Sequence, residues 1–350
     1  MYINTFFLRV SAMCNLNCDY CYVFKHRDKS WKCLPAVISE KVIDQFARRL
    51  REYLLNTGIK QVNIVFHGGE PLVIGKERLI EISDKIRSVC ENNAVISFSL
   101  QTNGTLIDKE FLDDCIERNI GISLSIDGPK RFHNLHRKYH SGRGSFDDVL
   151  RAIDLLKKYS VIFEGVIGVI DPNCTPDEML SFYSDNDLVN MDLLLPDSTY
   201  VDPPPGKNVN KLLYSKWLVE AFNLWFNKYQ KLCYRTFESV LQSILGTNSN
   251  LDTFGLGELD YITIETDGSY HTTDIMKVAY ENASAVGFGL FNAPIEKALK
   301  SEKFLEYNEL IKWNNLPLKC KNCEFGYTCG GGSLPHRYSP NNFFNNPTVY

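Results

Sequence analysis

The chain has 350 residues, 44% of them apolar and 23% charged, with a formal net charge of -4, which suits a globular protein with one large domain and a smaller appendage. The mild acidic excess leaves no footprint for nucleic acid or an anionic membrane surface, and no run reaches the roughly 20 apolar residues of a membrane span. The opening MYINTFFLRV carries no basic leader, so a cytoplasmic location is expected, and clustered cysteines there point to metal rather than disulfides.

Short apolar runs alternate with longer amphipathic stretches. FFLRV (6–10) leads into a cysteine loop, a helix is expected at about 37–56, and QVNIVF (61–66) ends at HGGEP. A second helix at about 76–91 precedes VISFSL (95–100) and QTNG, and a third at about 106–118 precedes GISLSI (121–126) and DGP. Then come a helix near 145–159, VIFEGVIGVI (161–170), a short helix near 176–184 and MDLLLP (191–196). Alternation between the two periods predicts successive βαβ units on a parallel sheet, here a partial (β/α)6 barrel, with chemistry in the loops after the strands.

The prolines of PDSTYVDPPPG (196–206) should end the barrel. A long helix over 212–232, another near 237–245 and a hairpin over 261–274 turning at Asp267-Gly268 are expected next, then a glycine- and cysteine-rich tail. The resulting division is a barrel at 1–205, a helical bridge at 206–258 and a cysteine-bearing unit at 259–350.

Six of the 11 cysteines fall in two tight groups, Cys14/Cys18/Cys21 and Cys320/Cys323/Cys329, while Cys33, Cys90, Cys115, Cys174 and Cys233 stand alone and read as small buried hydrophobes. Structural zinc takes four ligands, usually in two pairs. In CNLNCDYCY three cysteines share one loop, with His26 the nearest imidazole. A four-iron cube held by three cysteines instead keeps one iron open for a small molecule.

The CxxxCxφC pattern, with Tyr20 as the aromatic φ, after the first strand of such a barrel resembles the radical S-adenosylmethionine (radical SAM) enzymes. The resemblance implies a 4Fe-4S cluster on Cys14, Cys18 and Cys21, with S-adenosylmethionine as the remaining ligand. It assigns Gly68, Gly69 and Glu70 of HGGEP to the methionine ammonium, two glycines for close backbone approach and a carboxylate for the charge. It places Asn103 and Ser125 at the ribose or substrate, Arg137 at the methionine carboxylate and GVIGVI along the adenine. Asn134 stands where related chains often carry Asp. The implied reaction is reductive cleavage to a 5′-deoxyadenosyl radical, which takes hydrogen from an unactivated carbon.

The C-x2-C-x5-C spacing of Cys320, Cys323 and Cys329 resembles the C-terminal half of a SPASM domain, which implies one auxiliary iron–sulfur cluster; a zinc knuckle is the alternative. Its fourth ligand is missing locally, since related chains continue to a further cysteine and this one stops at Tyr350; a truncated chain, recruitment of Cys233 or Cys174, and a degenerate site are the alternatives, and Thr272-Thr273 stands where many such domains place a cysteine. LLLPDSTYVDPPPG, ETDGSYHTTDIMKVAY and CGGGSLPHRY together resemble the cyclophane-forming peptide maturases. That implies a ribosomally made precursor peptide as substrate and a crosslink from an aromatic ring carbon to a nearby β-carbon. A flavodoxin- or ferredoxin-type electron donor is the further expected partner.

Asp197, after the sixth strand, is the candidate base or substrate contact, and Asp274 a second of the same kind. No segment before the first strand looks like a leader-binding unit, so the peptide is expected at the barrel mouth, the bridge, the hairpin edge or a separate protein. Two other functions fit the motifs. One is sulfatase-maturing oxidation of a Cys or Ser, against which the PPPG and CGGGxxPHR stretches count. The other is a non-catalytic zinc or iron–sulfur scaffold.

Overall fold

The computed structural model describes residues 2–247, 249, 251 and 253–350. Six strands run parallel and in chain order: β1 (Thr5–Ser11), β2 (Gln61–Gly68), β3 (Val95–Thr102), β4 (Ile120–Ser125), β5 (Phe163–Val169) and β6 (Asn190–Leu194). Between them lie α1 (Glu40–Thr57), α2 (Lys76–Cys90), α3 (Lys109–Glu117), α4 (Lys130–His136), α5 (Phe146–Leu156) and α6 (Pro176–Asp185).

Strand alternation sets the layers. Phe6, Leu8 and Val10 of β1 are fully buried beneath the helices, where Phe6 meets Phe46 and Tyr53 of α1 edge-on at 6.1 and 5.8 Å. Phe7, between them, faces the other way and stacks on Tyr261 and His67. The helix ends follow from local chemistry. The Ser39 hydroxyl accepts from Val42 N to start α1, and Gly58 at φ +73° closes it, a left-handed turn that glycine adopts without steric cost.

The sheet does not stop at six strands. After the proline segment, α7 (Leu213–Asn227), β7 (Cys233–Tyr234) and α8 (Arg235–Ile244) follow, and β7 pairs in parallel with β6. β8 (Tyr261–Ile264) pairs in parallel with β1, then β9 (Ser269–His271) and β10 (Ala285–Gly289) continue antiparallel, giving the order β10-β9-β8-β1-β2-β3-β4-β5-β6-β7 among the described residues. One sheet therefore crosses both expected divisions, at 205 and at 258.

α7 ends at Asn227 rather than 232, because the chain turns back so that Trp225 Nε1 donates to Leu232 O at 2.6 Å. α4, β7 and β10 were not foreseen; a two-residue strand and a seven-residue helix are too short to show a period. Cys33 and Cys233 are exposed, against the expectation of burial, whereas Cys90, Cys115 and Cys174 are buried. Among the described residues no helix is long and apolar enough to cross a membrane.

Candidate functional site

The first cysteine loop leaves the C-terminal end of β1 and is tied to its neighbours mostly by backbone. Gly69 N donates to Ser11 O at 2.9 Å and Glu70 N to Met13 O at 2.8 Å. A Cβ at Gly68 or Gly69 would overlap the Ser11 or Met13 carbonyl. The two glycines thus let the β2 loop lie against the cysteine loop, a different task from the ligand approach expected of them. Asn17 N donates to Lys138 O at 2.6 Å and His140 Nε2 bonds the Cys14 carbonyl at 3.0 Å, closing the loop from the α4 side.

Cys14, Cys18 and Cys21 are half-buried and free of disulfides. Burial first, then Glu70, pushes the Cys14 thiol up to about 12, and burial pushes Cys18 to about 11 against the opposing charge of Arg137. Such thiols stay neutral unless a metal compensates their charge on deprotonation. Among the described residues no three His, Cys, Asp or Glu side chains close on a single ion. The donor set suits an iron–sulfur cube.

Glu70 is buried and accepts three hydrogen bonds. Its Oε1 accepts from Leu72 N at 3.0 Å and Thr102 Oγ1 at 2.7 Å, and its Oε2 from Asn103 N at 2.7 Å. Asn103 Nδ2 donates to Asn15 Oδ1 at 2.8 Å, pinning the cysteine loop to the end of β3. Ser125, half-buried at the end of β4, accepts from Gln101 Nε2 at 2.9 Å. Arg137 Nε bonds Asp127 Oδ1 at 3.1 Å, and its guanidinium stands 5.8 Å over the Tyr20 ring, whose hydroxyl donates to Asp127 Oδ2. Asp127 is held ionised despite its burial, by Arg137 before all. Asn134 Oδ1 accepts from Phe146 N at 3.1 Å and starts α5.

A second ensemble lies on the inner face of β1, β2 and β8. Arg9 is 1% exposed and contacts Glu265 Oε2 at 3.1 Å and Asp274 Oδ2 at 3.0 Å. Tyr22, next to Cys21, donates to Asp274 Oδ2 at 2.7 Å, and Lys277 Nζ bonds Glu265 Oε1 at 2.6 Å. Burial opposes the Asp274 charge, but His67 and Arg9 outweigh it and keep the carboxyl below its usual range. Burial pushes His67 itself to about 4, so Arg9 is the acting cation at neutral pH. Sequence reasoning passed over Tyr22, His67, Glu265, Lys277 and Asp127. The available signal was a charged or imidazole side chain closing an apolar strand, as in FFLR, NIVFH and YITIE.

Asp197 is half-buried after β6, close enough to Tyr350 for its charge to raise that phenol. Tyr350 donates to Pro196 O, while the Asp274 ensemble engages other elements. Burial first, then the charges of Cys329 and Cys323, raises the Cys320 thiol, and burial with Cys323 raises that of Cys329, so the tail brings the three together. The suggested fourth ligands lie elsewhere. Cys174 sits beside Glu178 and Asp171, and Cys233 pairs with Asn190 in the sheet.

The Radical SAM superfamily model matches residues 8–183, from within β1 to near the end of α6. The chain is 28% identical over 335 residues to the cysteine-type anaerobic sulfatase-maturating enzyme of Clostridium perfringens (strain 13 / Type A), covering 92% of this chain and 86% of that one. It is 25% identical over 352 residues to the serine-type enzyme of Bacteroides thetaiotaomicron, covering 94% and 82%. The solved structure of native anSMEcpe with bound AdoMet matches with a TM-score of 0.84 at 25% identity, over 99% of this chain and 93% of that one.

These near-full-length matches overturn the cyclophane-forming reading. The stretches that carried it have structural work that any chemistry needs. Pro205 O accepts from Tyr214 Oη at 3.0 Å, Gly330 lies against Gly255, and Gly332 against Thr348. Signatures of packing are weak witnesses to a substrate. The superfamily match over the barrel, the three-thiol loop at the end of its first strand and the AdoMet-bound structural relative agree: the chain belongs to the radical SAM superfamily, an enzyme of oxidoreductase-type radical chemistry that uses a 4Fe-4S cluster and S-adenosylmethionine.

Proposed function

We propose that this enzyme oxidises a Cys or Ser side chain on a peptide or protein, the reaction expected of a sulfatase-maturing enzyme. The observation that carries the reading is the near-full-length likeness to both cysteine- and serine-type maturases. The Tyr22–Asp274–Arg9 arrangement inside the sheet supports it. A further relative structure, at TM-score 0.83 and 25% identity, contains AdoMet and a Kp18Cys peptide.

Cys14, Cys18 and Cys21 would hold the cluster. Arg137 offers the remaining nitrogens of its fork to the methionine carboxylate, and Glu70 shares its carboxylate with the ammonium while fixing the loop that carries Asn103. Tyr20 braces Arg137 through Asp127, and Ser125 faces the ribose from β4. When bound, these cofactors supply the radical that takes hydrogen from the substrate β-carbon.

The protein's own part is the proton. Oxidising –CH2–XH to –CH=X removes one hydrogen from carbon and one proton from the sulfur or oxygen, with an electron leaving to an acceptor. Asp274, ionised and buried, accepts that proton, and the Tyr22 hydroxyl orients it. Asp197, at the β6 end, contacts the peptide. Residues 259–350 form a SPASM-like unit in which Cys320, Cys323 and Cys329 hold one auxiliary cluster as electron acceptor, with 206–258 bridging it to the barrel. A flavodoxin- or ferredoxin-type protein supplies the reducing electron.

The test is anaerobic reconstitution followed by incubation with AdoMet, a reductant and peptides carrying a Cys or Ser in otherwise identical sequences. An aldehyde at that residue, trapped by a hydrazine and located by mass spectrometry, supports the reading. 5′-Deoxyadenosine without aldehyde on either peptide, or a crosslink in place of one, overturns it.

A further inference from the structure

Arg337 is 0% exposed, yet no carboxylate among the described residues pairs with it. Its Nε donates to Phe344 O at 3.0 Å and its Nη1 to Leu310 O at 2.8 Å, while Nη2 has no partner. A buried guanidinium with a vacant donor and no counter-charge is costly, and a structure that keeps one implies an anion at that place. A Cβ at Gly331 would lie 3.5 Å from Leu316 Cδ2, 3.7 Å from Cys320 Sγ and 3.8 Å from Arg337 Cδ, so the thiol and the arginine stem border the same space that the glycine leaves open. Burial lowers the Arg337 pKa to about 10, and Cys320 and Cys329 act against that, which places both sulfurs within reach of its charge.

We propose that Arg337 is the charge partner of the auxiliary iron–sulfur cluster, its free Nη2 donating to a cluster sulfur. The inference rests on the reading of Cys320, Cys323 and Cys329 as cluster ligands. Three thiolates outweigh the positive core of a cube, so the cluster is anionic and more so when reduced. A fixed cation and a hydrogen bond to sulfur therefore favour the reduced form and raise the reduction potential. That direction suits a cluster that must take an electron from a substrate radical. Arginine fits better than lysine, because two of its nitrogens are spent on carbonyls that fix the fork and leave the third to point at the cluster. Arg337 is thus a positioning and tuning residue, not a catalytic one.

The experiment uses the full chain with Cys14→Ala, Cys18→Ala and Cys21→Ala, reconstituted with iron and sulfide, so that only the second cysteine group contributes. Redox titration followed by electron paramagnetic resonance then compares Arg337 with Arg337→Gln and Arg337→Lys. The expected result for Gln is a lower midpoint, a roughly tenfold fall in the reduced-to-oxidised ratio at fixed ambient potential, or about 59 mV for one electron. Lys, a cation without the fork, shifts it less and in the same direction. An unchanged midpoint in a cluster-bearing Gln variant overturns the proposal. Should Gln fail to fold, an unchanged midpoint in Lys does the same. Absence of iron from the Arg337 parent itself would instead refute the auxiliary-cluster reading.

Discussion

Each cysteine group has a buried arginine beside it, and the two arginines are treated in opposite ways. Arg9, whose charge reaches Cys21, is matched by Glu265 and Asp274 and backed by Lys277 and Tyr22. Arg337, whose charge reaches Cys320 and Cys329, meets only backbone carbonyls. The first region is electrostatically complete as protein and holds an ionised carboxylate ready for a proton. In the second, no carboxylate among the described residues meets the cation, and one donor of its fork has no protein partner. A buried cation thus reports on its surroundings in two ways, by the partners it has and by the one it lacks.

The contrast breaks most sharply at the first thiols. Cys18→Ala should abolish 5′-deoxyadenosine formation from AdoMet while leaving iron on the second group, read by iron count and chromatography. Retained AdoMet cleavage would remove the loop from the cofactor site. Next in size, Asp274→Asn should lower oxidised-peptide formation by about 10²–10⁴-fold, the usual range for a lost general base. AdoMet cleavage should fall far less, because no cofactor ligand is touched. Parallel loss of both would mean that Asp274 only holds Arg9 in place.

pH sharpens the same comparison. Glu265 sits at about 2 against an ordinary 4.5; burial opposes its charge and Arg9 and Lys277 overcome that. Its contribution to stability is therefore complete above about 4.5 and lost as pH falls toward 2. Thermal melting should show that loss in the parent and a flatter profile in Glu265→Gln. The opposite sign applies at His136, raised to about 9 by Asp171 and by Asp19 of the cysteine loop. Its contribution is present below 6.5 and lost as pH rises through about 9, so His136→Gln should flatten the alkaline limb. The smallest effect belongs to Asn134→Ala, which loses one hydrogen bond to the start of α5 and should cost about 1 kcal/mol in unfolding by denaturant.

The alternation of apolar runs and amphipathic stretches was enough to place β1 to β6 and the helices between them other than α4 within a few residues, because the alternation recurs along the chain. CNLNCDYCY was enough to point to an open cluster, because ligand count and spacing are local properties. β7, β10 and α4 were illegible, being too short to repeat a period. The roles of Gly68 and Gly69 were legible only as freedom of approach; what approaches, the Ser11–Met13 backbone, came from folding. The subfamily was misread because PPPG and CGGG look like signatures of a reaction and are parts of the packing.

The sequence by itself thus determined the alternating β/α framework and the two thiol groups, since these follow from residue type and short-range spacing. Only the tertiary structure decided that residues 9, 22, 67, 265, 274 and 277 form one charged ensemble, and that Arg337 stands without a counter-charge beside the second thiols. Those relations join positions up to 265 residues apart. Charges compensate through space, and the order of the chain does not record which of them will meet once water is excluded.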